Sequence, residues 1–208
     1  MNGNSREIQT FVKQKIEALT RNRNVGAVRA TLANLRRGVG KSPGSIPQLW
    51  SVTLDGFPQA LMGKGTVASK GEWATHTALT LFALHQQGKE PASECVSKEG
   101  VKLGEAVRRL STGAEVEDRI KRRFDAAITA SDPIEFAQHL RGLIQLLKQA
   151  SLKLDYPALG EQLFWFQYPE HREAIRLQWG RAFYTWQGDT DTEDKQAEQG
   201  KEAENYET

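Results

Sequence analysis

The chain has 208 residues, of which 38% are hydrophobic and 26% charged, and its formal net charge is +2. That length can bury a real core as one domain or two small lobes, and the composition is that of a soluble globular protein. No apolar run approaches the roughly 18 residues of a membrane helix, the N-terminus lacks the apolar core of a signal peptide, and the lone Cys95 excludes a disulfide framework or thiolate metal cluster, which fits a reducing cytoplasm.

From Ser5 onward, Ile8, Phe11, Val12, Ile16 and Leu19 keep helical spacing. Val28, Leu32 and Leu35 continue it in a second segment, which Gly38 is expected to end in a left-handed cap. Arg36 and Arg37 sit in its last turn, where the helix dipole favours cations by about 0.3–1 kcal/mol each. That effect accounts for two charges. It does not account for Lys41 in the loop Gly38-Val39-Gly40-Lys41, nor for nine basic residues against Glu7 and Glu17 over residues 1–41.

Residues 42–68 are broken by Pro43, Pro47, Pro58 and four glycines, which predicts loop with short helices near Gln48–Leu54 and Gln59–Leu61. Trp50 and Phe57 are expected to pack beneath it. Gly63-Lys64-Gly65 lacks the remaining positions of a phosphate-binding loop and a preceding strand. A helix over Gly71–Gln87 comes next, with Trp73, Thr77, Leu81 and Leu84 on one face and His76 and His85 flanking it in expected packing roles. Gly88–Ser97 reads as a polar connector and the boundary between lobes at 1–95 and 96–188.

After Ser97 the apolar residues Val101, Leu103, Val107 and Leu110 alternate with Lys102, Arg108 and Arg109. Ser111-Thr112-Gly113 is expected to break the chain before a basic helix. There Val116, Ile120, Phe124 and Ala127 form the buried stripe, and Arg119, Arg122 and Arg123 share an arc beside it. Three guanidiniums on one arc can face a row of phosphates; for one helix alone, a solvated face is the plain alternative. Asp132-Pro133-Ile134-Glu135 starts the next helix, with Phe136, Leu140, Leu143, Ile144 and Leu147 inward and Arg141 and Lys148 on another face. Asp155-Tyr156-Pro157 and Tyr168-Pro169-Glu170 open two more. No stretch alternates with a two-residue period, so the fold class is all-α.

Residues 189–208 hold eight acids against Lys195 and Lys201, leaving 26 basic and 18 acidic residues before them. The body is therefore basic. A tail so poor in apolar residues is expected to be disordered and to serve as a solubilising end; it could also compete weakly with nucleic acid for the basic face.

Enzyme chemistry finds no constellation here. His76, His85, His139 and His171 lack metal-ligand spacing, Cys95 has no evident base, and no serine sits in a nucleophile motif. No catalytic residue, metal or cofactor is expected.

An ordered set of short phrases carries a family resemblance. It runs from Leu32-Ala33-Asn34-Leu35-Arg36-Arg37-Gly38 through Leu79-Thr80-Leu81-Phe82-Ala83-Leu84-His85-Gln86 to Leu103-Gly104-Glu105-Ala106-Val107-Arg108-Arg109-Leu110. Arg122-Arg123-Phe124-Asp125, Leu140-Arg141-Gly142-Leu143-Ile144-Gln145-Leu146-Leu147 and Leu154-Asp155-Tyr156-Pro157 complete it, with an aromatic C-terminal helix. Over about residues 6–188 the chain resembles the small subunit (CasB family) of Cascade, the type I-E CRISPR surveillance complex. The resemblance implies a two-lobed helical protein without catalytic residues. Its implied partners are a second copy of itself, the backbone and large subunits of the guide-RNA complex, and the displaced single-stranded DNA that it holds while bracing the assembly. No membrane is involved. The positions matching the family's basic surface are Arg36, Arg37, Arg122, Arg123 and Arg141; Lys41, Lys102, Arg108, Arg109 and Arg119 are added from this sequence. Two alternatives remain: a structural brace whose charges pair with acidic neighbours, and a helix-turn-helix regulator, for which no helix pair stands out.

Overall fold

A computed structural model of the chain describes residues 3–111 and 114–186; Thr112 and Gly113 of the expected break, and the acidic tail, lie outside them. Every regular element among the described residues is a helix, with one isolated bridge, Ser97 to Leu154, and no strand. In chain order the helices are α1 (Gly3–Arg21), α2 (Val25–Arg37), α3 (Trp50–Thr53), α4 (Lys70–His85), α5 (Leu103–Arg108), α6 (Ala114–Thr129), α7 (Pro133–Gln149), α8 (Tyr156–Phe166) and α9 (Pro169–Tyr184).

The start signals act as their chemistry requires. Ser69 accepts from Glu72 N while the Glu72 side chain accepts from Ser69 N, a reciprocal capping box at α4. Asp132 accepts from the amides of Ile134 and Glu135 ahead of α7, and Asp155 from Ala158 ahead of α8. One expectation fails: Gly38 has φ −83°, so the end of α2 is right-handed. Glycine is needed there for space, since a Cβ would lie 2.7 Å from Leu49 Cδ1 and 2.9 Å from Thr80 Cγ2. The left-handed residue is Gly40, at φ +73°.

α4 is buried on nearly every side, because α1, α2, α7 and α8 all pack against it. Gly160 of α8 fits where its Cβ would touch Val12 of α1 and Ala78 of α4. Tyr156 is buried beside it, its hydroxyl 3.0 Å from His85 Nδ1. Beyond α8, Phe136 of α7 stacks on Phe166 at 4.3 Å and lies 5.6 Å from Trp179 of α9. One continuous cluster of buried side chains runs from Ile8 to Phe183. It passes beneath the Gly88–Ser97 connector, so helices from both expected lobes share a core. Phe57 is buried as expected, but Trp50 is 45% exposed: it projects from α3 beside the glycine-rich loop that was to cover it.

Candidate nucleic-acid interface

The site is laid out by the order in which four helices lie side by side: α2 on α4, α4 on α7, and α7 on α6. α7 buries Phe136, Ala137, Leu140, Leu143, Ile144 and Leu147, so its outward face is read from the other positions. Gln138, Arg141, Gln145, Lys148 and Gln149 recur there at i, i+3, i+7, i+10 and i+11, one polar stripe whose carboxylate, Glu135, sits in the first turn, 3.7 Å from His139 Nε2.

On one flank of that stripe stands the end of α2. The left-handed turn at Gly40 sets that loop against α7, so that a Cβ there would collide with the Gln138 amide. Exposed Arg37 and Lys41 lie on either side of this contact. Arg36 opens into a cleft that also holds Gln87, and Gln87 accepts a hydrogen bond from Lys148 Nζ at 3.0 Å. The cleft contains Glu90 and Glu94 as well, but Glu90 is engaged by Arg29 at 3.7 Å. On the other flank, Arg119 and Arg123 of α6 edge a groove of about 280 Å³ whose far wall is Leu146, Gln149 and Ala150 of α7. The stripe thus links the cations of α2 to those of α6.

The expected residues divide into three groups. Arg37, Lys41, Arg119, Arg123 and Arg141 border α7 or lie on it, Arg36 opens beside the end of α4, and none of the six has a carboxylate partner among the described residues. Arg122 is exposed but stands one row further out on α6, its Nε donating to the Asp118 carbonyl at 3.2 Å. Arg108, Arg109 and Lys102 depart from expectation. Arg108 pairs with Glu117 at 2.5 Å and lies over the Phe183 ring; Arg109 pairs with Glu105 at 2.9 Å and lies over Trp186. Arg108 therefore joins α5 to α6 and α9, while Arg109 pairs within its own turn and packs on Trp186, just beyond α9. Lys102 is exposed at the first end of α5, where Glu99 pairs with Lys13 of α1 and Gly100 N donates to Asp155, on the α1–α8 side. Arginine in the last helix also has internal work: Arg176 donates to the carbonyls of Ile128 and Thr129 at the end of α6.

Helical spacing alone does not mark Lys148 or the glutamines of α7 as site residues. Their signal was present as a polar stripe, but it points to a site only once α2 and α6 are known to flank it. The other chemistry-bearing residues are engaged in packing. His76 Nε2 lies 3.0 Å from the Gly38 carbonyl, and burial pushes its pKa down. Burial pushes the Cys95 thiol up, away from thiolate character. Among the described residues no group of three or more His, Cys, Asp or Glu could hold a metal ion, and no helix is long and apolar enough to cross a membrane. What the arrangement can do is hold a polyanion by charge.

The family described as CRISPR-associated protein Cse2 matches residues 31–184. The crystal structure of CasB from Thermobifida fusca is similar, with 34% identity and a TM-score of 0.71 over 86% of this chain and 98% of that one. CasB from Thermus thermophilus shares the fold at 22% identity and a TM-score of 0.63, over 84% of this chain and 98% of that one. No curated protein matches the sequence.

Proposed function

Because this chain belongs to the Cse2 (CasB) family of CRISPR-associated proteins, we propose that it is a non-catalytic small subunit of a type I-E Cascade complex that holds the displaced non-target DNA strand. The observation that carries the proposal is the cationic track across α7, from Lys41 through Arg141 and Lys148 to Arg119 and Arg123, none of them paired with a carboxylate among the described residues, with Arg36 at its edge. Exchange of a DNA duplex for an RNA–DNA hybrid is nearly balanced, so modest affinity for the freed strand tips it toward the open state. The guide supplies sequence recognition; the strand holder must be indifferent to sequence. That requires phosphate contacts, which arginine and lysine make and which carry no base information. Glutamines between the two cationic flanks donate and accept hydrogen bonds without adding charge. In the same reading the helical body braces the complex, beside the backbone and large subunits and a second copy of itself.

If five side chains each neutralise one phosphate, single-strand affinity falls with salt at a log–log slope of about −3.5. The test compares the parent with an Arg36/Arg37/Arg123/Arg141→Ala variant on unrelated single strands across a salt series. The expected outcome is a weaker affinity and a slope shallower by about 3. Equal, negligible binding by both proteins would indicate a brace without nucleic-acid contact; preference for one duplex sequence would indicate a regulator.

A further inference from the structure

The groove between α6 and α7 lies beside the point where the described chain ends. Trp186 sits against Arg109, whose guanidinium is 5.3 Å from the indole ring, and the next residue, Leu110, lines the groove that Arg119 and Arg123 border. Phe183, three residues before Trp186, stacks on Phe124 of α6 at 5.0 Å. The chain therefore leaves α9 next to the helix that carries Arg119 and Arg123. Immediately beyond Trp186 comes the most acidic stretch of the sequence: Asp189, Asp191, Glu193, Asp194, Glu198, Glu202, Glu204 and Glu207 against Lys195 and Lys201.

We propose that this acidic terminus is an intramolecular occupant of the α6–α7 groove, its carboxylates standing at Arg119 and Arg123 where phosphates would otherwise bind. Three quantities agree. Residues 187–207 can span up to about 70 Å when extended, far more than the neighbouring groove demands. Tethering gives the terminus an effective concentration in the millimolar range, so weak ion pairs suffice for occupancy. The charges are opposite: the terminus is net −6, whereas Arg119, Arg123, Arg141 and Lys148 have no carboxylate partner among the described residues. A strand of many phosphates displaces it; a short or isolated polyanion competes poorly. The occupancy stands on the geometry alone, while its consequence, screening against adventitious nucleic acid, rests on the proposed strand binding. Competition also changes the salt response. Each ion pair that the terminus surrenders offsets a counterion released from the strand, so the intact chain has the shallower salt slope.

The experiment uses the full chain and a variant in which the eight acids become amides (Asp→Asn, Glu→Gln). Arginine modification by phenylglyoxal, mapped by mass spectrometry, reads occupancy without nucleic acid. Arg119 and Arg123 are expected to react several-fold faster in the amide variant at low salt, with the difference lost in 0.5 M salt. Arg23, exposed at the remote α1–α2 turn, is expected to react equally in both. Single-strand affinity of the variant is expected to be about tenfold tighter at low salt, with a steeper salt slope. Equal reactivity of Arg119 and Arg123 in the two chains overturns the proposal, as does protection that rises with protein concentration, which would place the terminus on another copy. Protection without DNA binding by either chain would defeat the strand-holding reading and leave the occupancy standing.

Discussion

His85 shows how a single side chain was legible in kind but not in degree. Helical spacing places it at the edge of an apolar face; only the fold makes it fully buried, with Tyr156 as its partner. Burial, with Lys89 and Lys148 adding repulsion, lowers its pKa from 6.5 to about 4, and burial lowers that of His76 as well. Above pH 6.5 the imidazole is neutral in both states; as pH falls toward 4 the unfolded chain takes up a proton that the folded chain refuses. Stability is therefore lost across that window, by about 3 kcal/mol from His85 at pH 4. Urea midpoints measured from pH 7 to 4.5 are expected to fall more for the parent than for His85→Gln, and parallel profiles would contradict this assignment. Gly38 and Trp50 mark the limit of single-residue inference. Glycine after a basic turn suggests a left-handed cap, but this one is required because Leu49 and Thr80 close over it. A tryptophan among prolines suggests packing, yet this one lines an open groove with Pro43 and Leu54 and stays 45% exposed.

At the scale of elements, caps and periodicity located the starts of α4, α7, α8 and α9 to within a residue, because these signals are local. α5 was harder. Its apolar spacing begins at Val101, but the helix runs only from Leu103 to Arg108, since the preceding segment is extended and bonds to Leu154. What holds so short a helix is its contact with α9. A Cβ on Gly104 would overlap the Trp179 carbonyl oxygen and lie 2.7 Å from Phe183 N, and neither backbone atom can rotate away. Gly104→Ala is expected to destabilise the fold by about 3 kcal/mol, seen as a lower denaturation midpoint at unchanged far-ultraviolet signal. A stability within about 0.5 kcal/mol of the parent would mean that the helices separate easily there. Arg108 and Arg109 belong to the same contact: a sequence shows their charge, but not that Glu117 and Glu105 consume it.

For the whole molecule, the shared core has a thermodynamic consequence. α8 lies in the second half of the chain yet packs on α1 and α4, so neither expected lobe can unfold without exposing the other's apolar face. Denaturation is expected as one transition, with helical content and tryptophan emission changing together. Two separated transitions would restore independent lobes. Trp50 and Trp73 report on one half, and Trp165, Trp179 and Trp186 on the other. The distribution of charge also becomes a property of the whole: a basic body and an acidic terminus nearly cancel in the sum, while among the described residues the cations along α7 have no carboxylate partner.

The sequence by itself determined the helical class, most helix starts, the apolar faces and the basic excess of residues 1–188, because each depends on spacing and composition within a few turns. It also carried the phrases that place the chain in its family. Only the tertiary structure decided which cations meet. Arg36 and Arg119 lie more than 80 residues apart, and their relation is fixed by how α4 and α7 pack between them. Charge along a chain is local information; charge across a surface exists only after the core has aligned the helices that bear it.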